Sequence, residues 1–290
     1  MKLKTFAAAL AATTIAGSAF AADLPSRKVA PIMAPVPVFT WTGFYVGVNI
    51  GYGFGGSNTI TGSDVYLGNY PATVPGLNAA FNGNGGSKLN GILGGGQIGY
   101  NWQMGSLVAG IETDIQGAGL KSSNALGPIP GNPALGFIPF FTAGSGSQKV
   151  DWFGTLRGRL GFTVTPTLLA YVTGGLAYGN VKNSLTYMAV FPTVAGAIFT
   201  GTGATSSTRL GWTVGAGAEY AISNNWSLKG EYLYTDLGNS AVSTMTAFGP
   251  PIPVQPLFVP TVSRRTSFHT VRAGLNYRFG GAAGPVVAKY

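Results

Sequence analysis

The chain has 290 residues, no cysteine, and only 9% charged residues against a hydrophobic fraction of 46%. That excludes a disulfide framework, a zinc-thiolate site and a thiol nucleophile, and it departs from the roughly 25% charge of soluble domains. The formal charge of +9 is dispersed, with Arg27-Lys28 and Arg264-Arg265 the longest basic runs, so a nucleic-acid footprint is not expected and a basic surface facing anionic lipopolysaccharide, or an anion-favouring lumen, is.

In chain order, Lys2 and Lys4 precede an apolar run from Phe6 to Ala16 and a small-x-small site, Ala19-Phe20-Ala21. This predicts a secretory signal peptide over 1–21, the run being too short for a spanning helix. Its removal lowers the formal charge from +9 to +7. Residues 22–40 hold Pro25, Pro31, Pro35 and Pro37, which predicts an extended periplasmic linker, either a spacer or a segment resting on the inner rim or the cell wall. No later segment offers about 18 uninterrupted apolar residues.

From residue 41 onward apolarity recurs at alternate positions instead. Leu168, Ala170, Val172, Gly174, Leu176 and Tyr178 are separated by small or polar residues such as Thr173 and Gly175. A period of two predicts a strand with one greasy face. Eight such strands are expected at 43–54, 89–102, 107–119, 149–164, 168–182, 207–222, 226–237 and 265–279. The connections at 103–106, 165–167 and 223–225 are short. Those at 55–88, 120–148, 183–206 and 238–264 are long and rich in Gly, Ser, Asn and Pro, and are expected to be mobile coil. Short turns on one side and long loops on the other is the polarity of outer-membrane barrels. The predicted fold is all-β, an eight-stranded antiparallel transmembrane β-barrel over 41–279, with both termini in the periplasm and a C-terminal extension over 280–290.

Parity then separates two faces. Leu107, Ala109, Ile111 and Ile115 oppose Glu112, Asp114 and Gln116; Trp152, Leu156, Leu160 and Phe162 oppose Asp151, Arg157 and Arg159. The later strands set Glu219, then Lys229 and Glu231, then Arg272, Asn276 and Arg278 against their own apolar sets. A lipid-facing Arg or Lys costs about 2–4 kcal/mol near the midplane, so the charges belong inside. Aromatic belts follow the same count. Trp102, Phe162, Tyr220, Trp226 and Tyr277 fall near the short-turn end; Tyr52, Trp152, Tyr178, Trp212 and Tyr234 fall near the long-loop end. Phe268 and Tyr171 fall on lumen parity, explained by a bulge or by packing in the lumen.

An eight-stranded barrel is about wide enough inside for side chains alone, and an unpaired buried charge costs several kcal/mol. Glu112, Asp114, Glu219 and Glu231 with Arg157, Arg159, Lys229, Arg272 and Arg278 are therefore expected to form an ion-pair network that plugs the barrel; the alternative is the lining of a narrow pore. Glu112 and Asp114 as an acid–base pair lack a cleft, a nucleophile and a histidine partner. The single histidine, His269, is lipid-facing by parity, and no G-x-S-x-G elbow occurs. The glycine runs at 51–56 and 94–96 lack the P-loop pattern. No cofactor or metal is expected. The loop 238–264 is apolar, with Met245, Phe248, Leu257 and Phe258 among several prolines held to block strand pairing. It is expected either to contact a host or envelope partner or to fold inward as a cap.

Trp41-Thr42-Gly43-Phe44-Tyr45-Val46-Gly47 followed by Asn49, Gly51 and Gly53, after Ala22-Asp23-Leu24-Pro25, resembles the opening of the small outer-membrane immunogenic proteins of alphaproteobacteria, within the porin-like, OmpA-like barrel families. The ending Val271-Arg272-Ala273-Gly274-Leu275-Asn276-Tyr277-Arg278-Phe279 resembles their last strand. The resemblance implies a surface-exposed barrel in the outer membrane of a Gram-negative bacterium, inserted through recognition of that strand by the barrel-assembly machinery, and no catalytic residues. Departing from the family pattern, the chain continues past Phe279 to Tyr290. The expected function is structural, contributing to envelope integrity and surface interactions, with a low-conductance porin as the alternative and a membrane-barrel enzyme third.

Overall fold

The structure is a computed structural model, and it describes residues 39–55, 60–67, 88–130, 141–191, 197–243, 245–248 and 257–279. The expected signal peptide, nearly all of the linker, and the 280–290 extension lie outside these residues. Among the described residues ten strands occur in chain order: β1 (Gly43–Phe54), β2 (Ile60–Leu67), β3 (Gly91–Met104), β4 (Leu107–Pro130), β5 (Phe141–Thr165), β6 (Leu168–Phe191), β7 (Ala197–Ala221), β8 (Trp226–Ser243), β9 (Met245–Phe248) and β10 (Leu257–Phe279).

Eight of them close a ring. Each of β3 to β8 pairs antiparallel with its neighbour, β8 pairs with β10, and β1 joins β3 on one side and β10 on the other. The seam runs from Phe44 opposite Phe279 to Phe54 opposite His269. Closure leaves no unpaired strand edge within the membrane, where no water is present to satisfy it. The outward face is the apolar one. Val48, Ile92, Val172 and Leu176 are each about 60% exposed or more, an apolar band far larger than the few hundred Å² that soluble monomers tolerate. All ten predicted belt aromatics point outward, and several pair laterally: Trp226 with Tyr277 at 5.0 Å, Trp212 with Tyr234 at 5.3 Å and Trp152 with Tyr178 at 6.2 Å.

The strands depart from expectation at the long-loop end. Residues 120–130, 141–148, 183–191, 197–206, 238–243 and 257–264, expected as coil, continue the ladders, and β2 and β9 add to β10 and β7. Ladder hydrogen bonds need no greasy face. Beyond the bilayer Ser, Thr and Gly replace the apolar half of the pattern, so the period of two fades while the pairing persists. Prolines do not stop it either: Pro260 pairs with Asp64, beyond the point where β8 ends against β10 at Ser243. The side chains of Met245, Phe248, Leu257 and Phe258 lie outside the described residues, and with them the choice between a cap and a contact surface.

A second departure is a bulge. Val150 faces Val181 and Trp152 faces Asn180, so Asp151 has no partner in the ladder. Parity assigns Asp151 to the lumen; the bulge turns it out, onto Lys149 at 2.5 Å and Lys182 at 2.7 Å. Val150 and Phe153 become fully buried on either side. Another bulge lies between Arg265 and Ser267.

Candidate functional site

Up to the level of Leu120 and Val150 the lumen is filled by three layers of side chains. In the middle layer four acids meet four bases, all with side chains at most 3% exposed. Arg157 on β5 is the hub. Its Nη2 donates to Asp114 at 2.9 Å and to Glu112, its Nη1 to Glu231 at 2.9 Å, and its Nε to Thr155 at 2.9 Å. Thr155 in turn donates to Asp114 at 2.7 Å. From β10, Arg272 donates to Glu231, its ladder partner on β8, at 2.6 Å and reaches across to Asp114 at 2.9 Å. From β8, Lys229 donates to both oxygens of Glu112 at 2.9 Å. Arg159 binds Glu219 at 2.8 Å and the Tyr45 hydroxyl at 2.9 Å.

Two tyrosines complete this layer, although nothing in the sequence marks either for a polar role. Tyr45 donates to Glu112 at 2.7 Å, and Tyr171 donates to Glu231 at 3.0 Å while the Arg159 guanidinium lies 4.0 Å over its ring. Tyr171 on lumen parity thus reflects packing in the lumen. Both phenols need a glycine facing them: a Cβ on Gly217 would come within 2.6 Å of the Tyr171 hydroxyl, and one on Gly99 would clash with Tyr45. An amide chain extends the layer. Gln97 donates to Asn276 at 2.8 Å, Asn276 to Glu219 at 2.8 Å, and Ser227 to Glu219 at 2.6 Å.

Arg278 is the exception among the nine predicted network residues. It forms no ion pair among the described residues; its guanidinium donates to the Asn224 carbonyl at 2.5 Å and lies 4.3 Å over the Phe39 ring. It belongs instead to an apolar layer that closes the periplasmic mouth. There Trp41, 1% exposed, packs with Val108, Leu169, Tyr171 and Ala221, against Phe39. The strap entering β1 is pinned to the turns: the Trp41 backbone N–H donates to Gln103 at 2.7 Å and its indole N–H to the Pro166 carbonyl at 3.2 Å. A cavity of about 10 Å³ beside Trp41, Glu219 and Arg278 has room for roughly one water.

On the extracellular side of the ionic layer Leu89, Leu93, Ala118, Leu120, Val150, Phe153, Ala177, Val181, Leu237 and Phe268 form a second apolar layer. Phe153 and Phe268 meet edge to face at 5.2 Å, which accounts for Phe268 on lumen parity. Above it the lumen turns polar again, with Gln148 donating to Thr266 at 2.9 Å and Asn183 to Ser240 at 2.9 Å.

The arrangement suits structure better than chemistry. Each carboxylate of the ionic layer accepts from an arginine or lysine, so Glu112 and Asp114 are held as ion-pair partners of Arg157, Lys229 and Arg272. His269 sits outside, its Nδ1 2.6 Å from the Tyr232 hydroxyl and its ring beside Phe54. Among the described residues no three His, Asp or Glu side chains are grouped to hold a metal ion.

Sequence comparison agrees with this architecture. The family model for the outer membrane protein beta-barrel domain matches residues 7–279. The chain is 40% identical over 280 residues to the 31 kDa outer-membrane immunogenic protein of Brucella melitensis, covering 96% of this chain and 100% of that one. It is 26% identical over 266 residues to the 25 kDa outer-membrane immunogenic protein of Brucella abortus, covering 90% and 91%. Among solved structures, Ail of Yersinia pestis aligns with 82% of this chain and 99% of its own at 11% identity and a TM-score of 0.30, too low to carry any argument. The closed ring, its lipid-facing band and these matches together make the chain an outer-membrane protein of a Gram-negative bacterium, belonging to the outer membrane protein beta-barrel family and similar to its immunogenic surface proteins.

Proposed function

We propose that the protein is a closed structural barrel, contributing to the integrity of the outer membrane and presenting its extracellular hairpins for surface interactions. One observation carries this reading: the lumen is filled in three layers, and the ionic layer balances four acids with four bases. A conducting path needs polar groups with spare capacity for ions and water. Here the four acids and four bases pair with one another, with only single N–H groups such as Arg159 Nε and Arg272 Nη1 left over, between two apolar layers that offer an ion nothing. The relatives are named for immunogenicity rather than for a reaction, which supports surface display and gives no ground for catalysis.

Single-channel recording on purified, reconstituted protein tests the reading. A quiet baseline is expected. Stable conductance steps, changing in size when Arg157 or Arg272 is replaced, would favour a narrow pore through the ionic layer and overturn the closed barrel.

A further inference from the structure

On the outer wall of the barrel Lys121, Lys149 and Lys182 stand side by side on three neighbouring strands, directly opposite one another in the register. All three alternate with buried neighbours (Leu120 and Ser122, Gln148 and Val150, Val181 and Asn183) and so point away from the lumen. The row lies a few residues beyond Trp152 and Tyr178, the belt that marks the outer edge of the apolar band. At about 3.3 Å per residue and a strand tilt of about 40° that is roughly 5–10 Å above the belt, the depth of lipid head groups.

Like charges directly opposite on a sheet repel, so three in a row call for an anion. The protein supplies a single carboxylate. The bulge at Asp151 brings its carboxylate to Lys149 and Lys182, and the hydrogen bonds from Lys149 and then Lys182 hold that carboxyl below its ordinary range. Lys121 has no ion pair among the described residues, and the row keeps a surplus of two positive charges. One step farther out, Ser123, Ser147 and Ser184 form a parallel row of outward hydroxyls, Ser147 and Ser184 lying 2.7 Å apart. Cations with hydroxyls above them, on a rigid sheet at head-group depth, match a phosphorylated sugar whose acyl chains lie along the band below.

We propose that Lys121, Lys149 and Lys182 form a docking site for the phosphorylated head group of an anionic outer-leaflet glycolipid. Ammonium groups there take the place of the divalent cations that otherwise bridge neighbouring phosphates, tying the barrel to its surrounding leaflet. This deepens the structural reading above but is separable from it: a lumen closed by its own side chains stays electrically silent whether or not the wall binds a lipid.

The test is native mass spectrometry of the detergent-solubilised full chain titrated with bisphosphorylated lipid A, with the same lipid stripped of phosphate, and with inorganic phosphate. Retention of the bisphosphorylated form alone is expected, because free phosphate lacks the acyl chains. The triple variant K121Q/K149Q/K182Q should lose at least about tenfold in affinity, given roughly fivefold for each cation near an anionic surface. Asp151→Asn should bind several-fold tighter, since it removes the competing carboxylate. All four side chains lie outside the lumen, and unchanged heat-modifiable migration would show that the variants fold. Equal binding by the triple variant, equal retention of the phosphate-free lipid, or saturation by inorganic phosphate would overturn the proposal.

Discussion

Replacing Arg157 by leucine probes the ionic layer at its hub. Leucine approximates the aliphatic part of the side chain, so the change removes charge and hydrogen bonds more than volume. It deletes three ion pairs, to Glu112, Asp114 and Glu231, and the donor to Thr155, leaving four acids against three bases. Stripping one partner from a buried pair costs about 3–5 kcal/mol. The low end applies here, because Lys229 still holds Glu112 and Arg272 still holds Asp114 and Glu231. Set against a urea dependence of about 1–3 kcal/mol per molar, a loss of about 3 kcal/mol lowers the unfolding midpoint by about 1–3 M. The assay is the heat-modifiable gel shift followed through a urea titration of the barrel in lipid vesicles. Adding Glu112→Gln to Arg157→Leu restores equal numbers of acids and bases, and the double variant should recover at least about 1 kcal/mol relative to the sum of the singles, as expected for groups in direct contact. An unchanged midpoint for Arg157→Leu, or strictly additive losses, would refute the network as a unit.

Gly217→Ala should destabilise by about 1–3 kcal/mol, because its Cβ displaces the Tyr171 hydroxyl from Glu231. Gly230→Ala, where a Cβ meets nothing within 4 Å, should leave the same urea midpoint unchanged. Because the chain has no cysteine, single cysteines report topology without background. A membrane-impermeant maleimide on intact cells should label Ser147→Cys, on the extracellular part of β5, and spare Ser106→Cys in the turn between β3 and β4; the opposite pattern would invert the barrel.

The alternation of apolar and polar residues, the placement of charges on one parity and the unequal connections were all readable without coordinates, and they determine an eight-stranded outer-membrane barrel. They are local properties: a period of two and a membrane of fixed thickness leave few other folds for a chain this apolar with no helix-length run. The outward direction of the ten aromatics was readable for the same reason, each following from counting along one strand. Other features depend on closure. Arg272 meets Asp114 across the lumen although 158 residues separate them, and no count along a strand tells which of four acids a given arginine reaches. Arg278 shares the lumen parity of Arg272 yet ends under Phe39 and Trp41, because it lies at the periplasmic mouth, where the entering strap offers rings and a turn carbonyl in place of a carboxylate. The bulge that turns Asp151 outward shifts parity by one and leaves no mark in the sequence. The hairpins beyond the bilayer were hidden for a different reason. In water a strand needs only its ladder partner, and backbone hydrogen bonds are blind to the side chains by which a sequence is read.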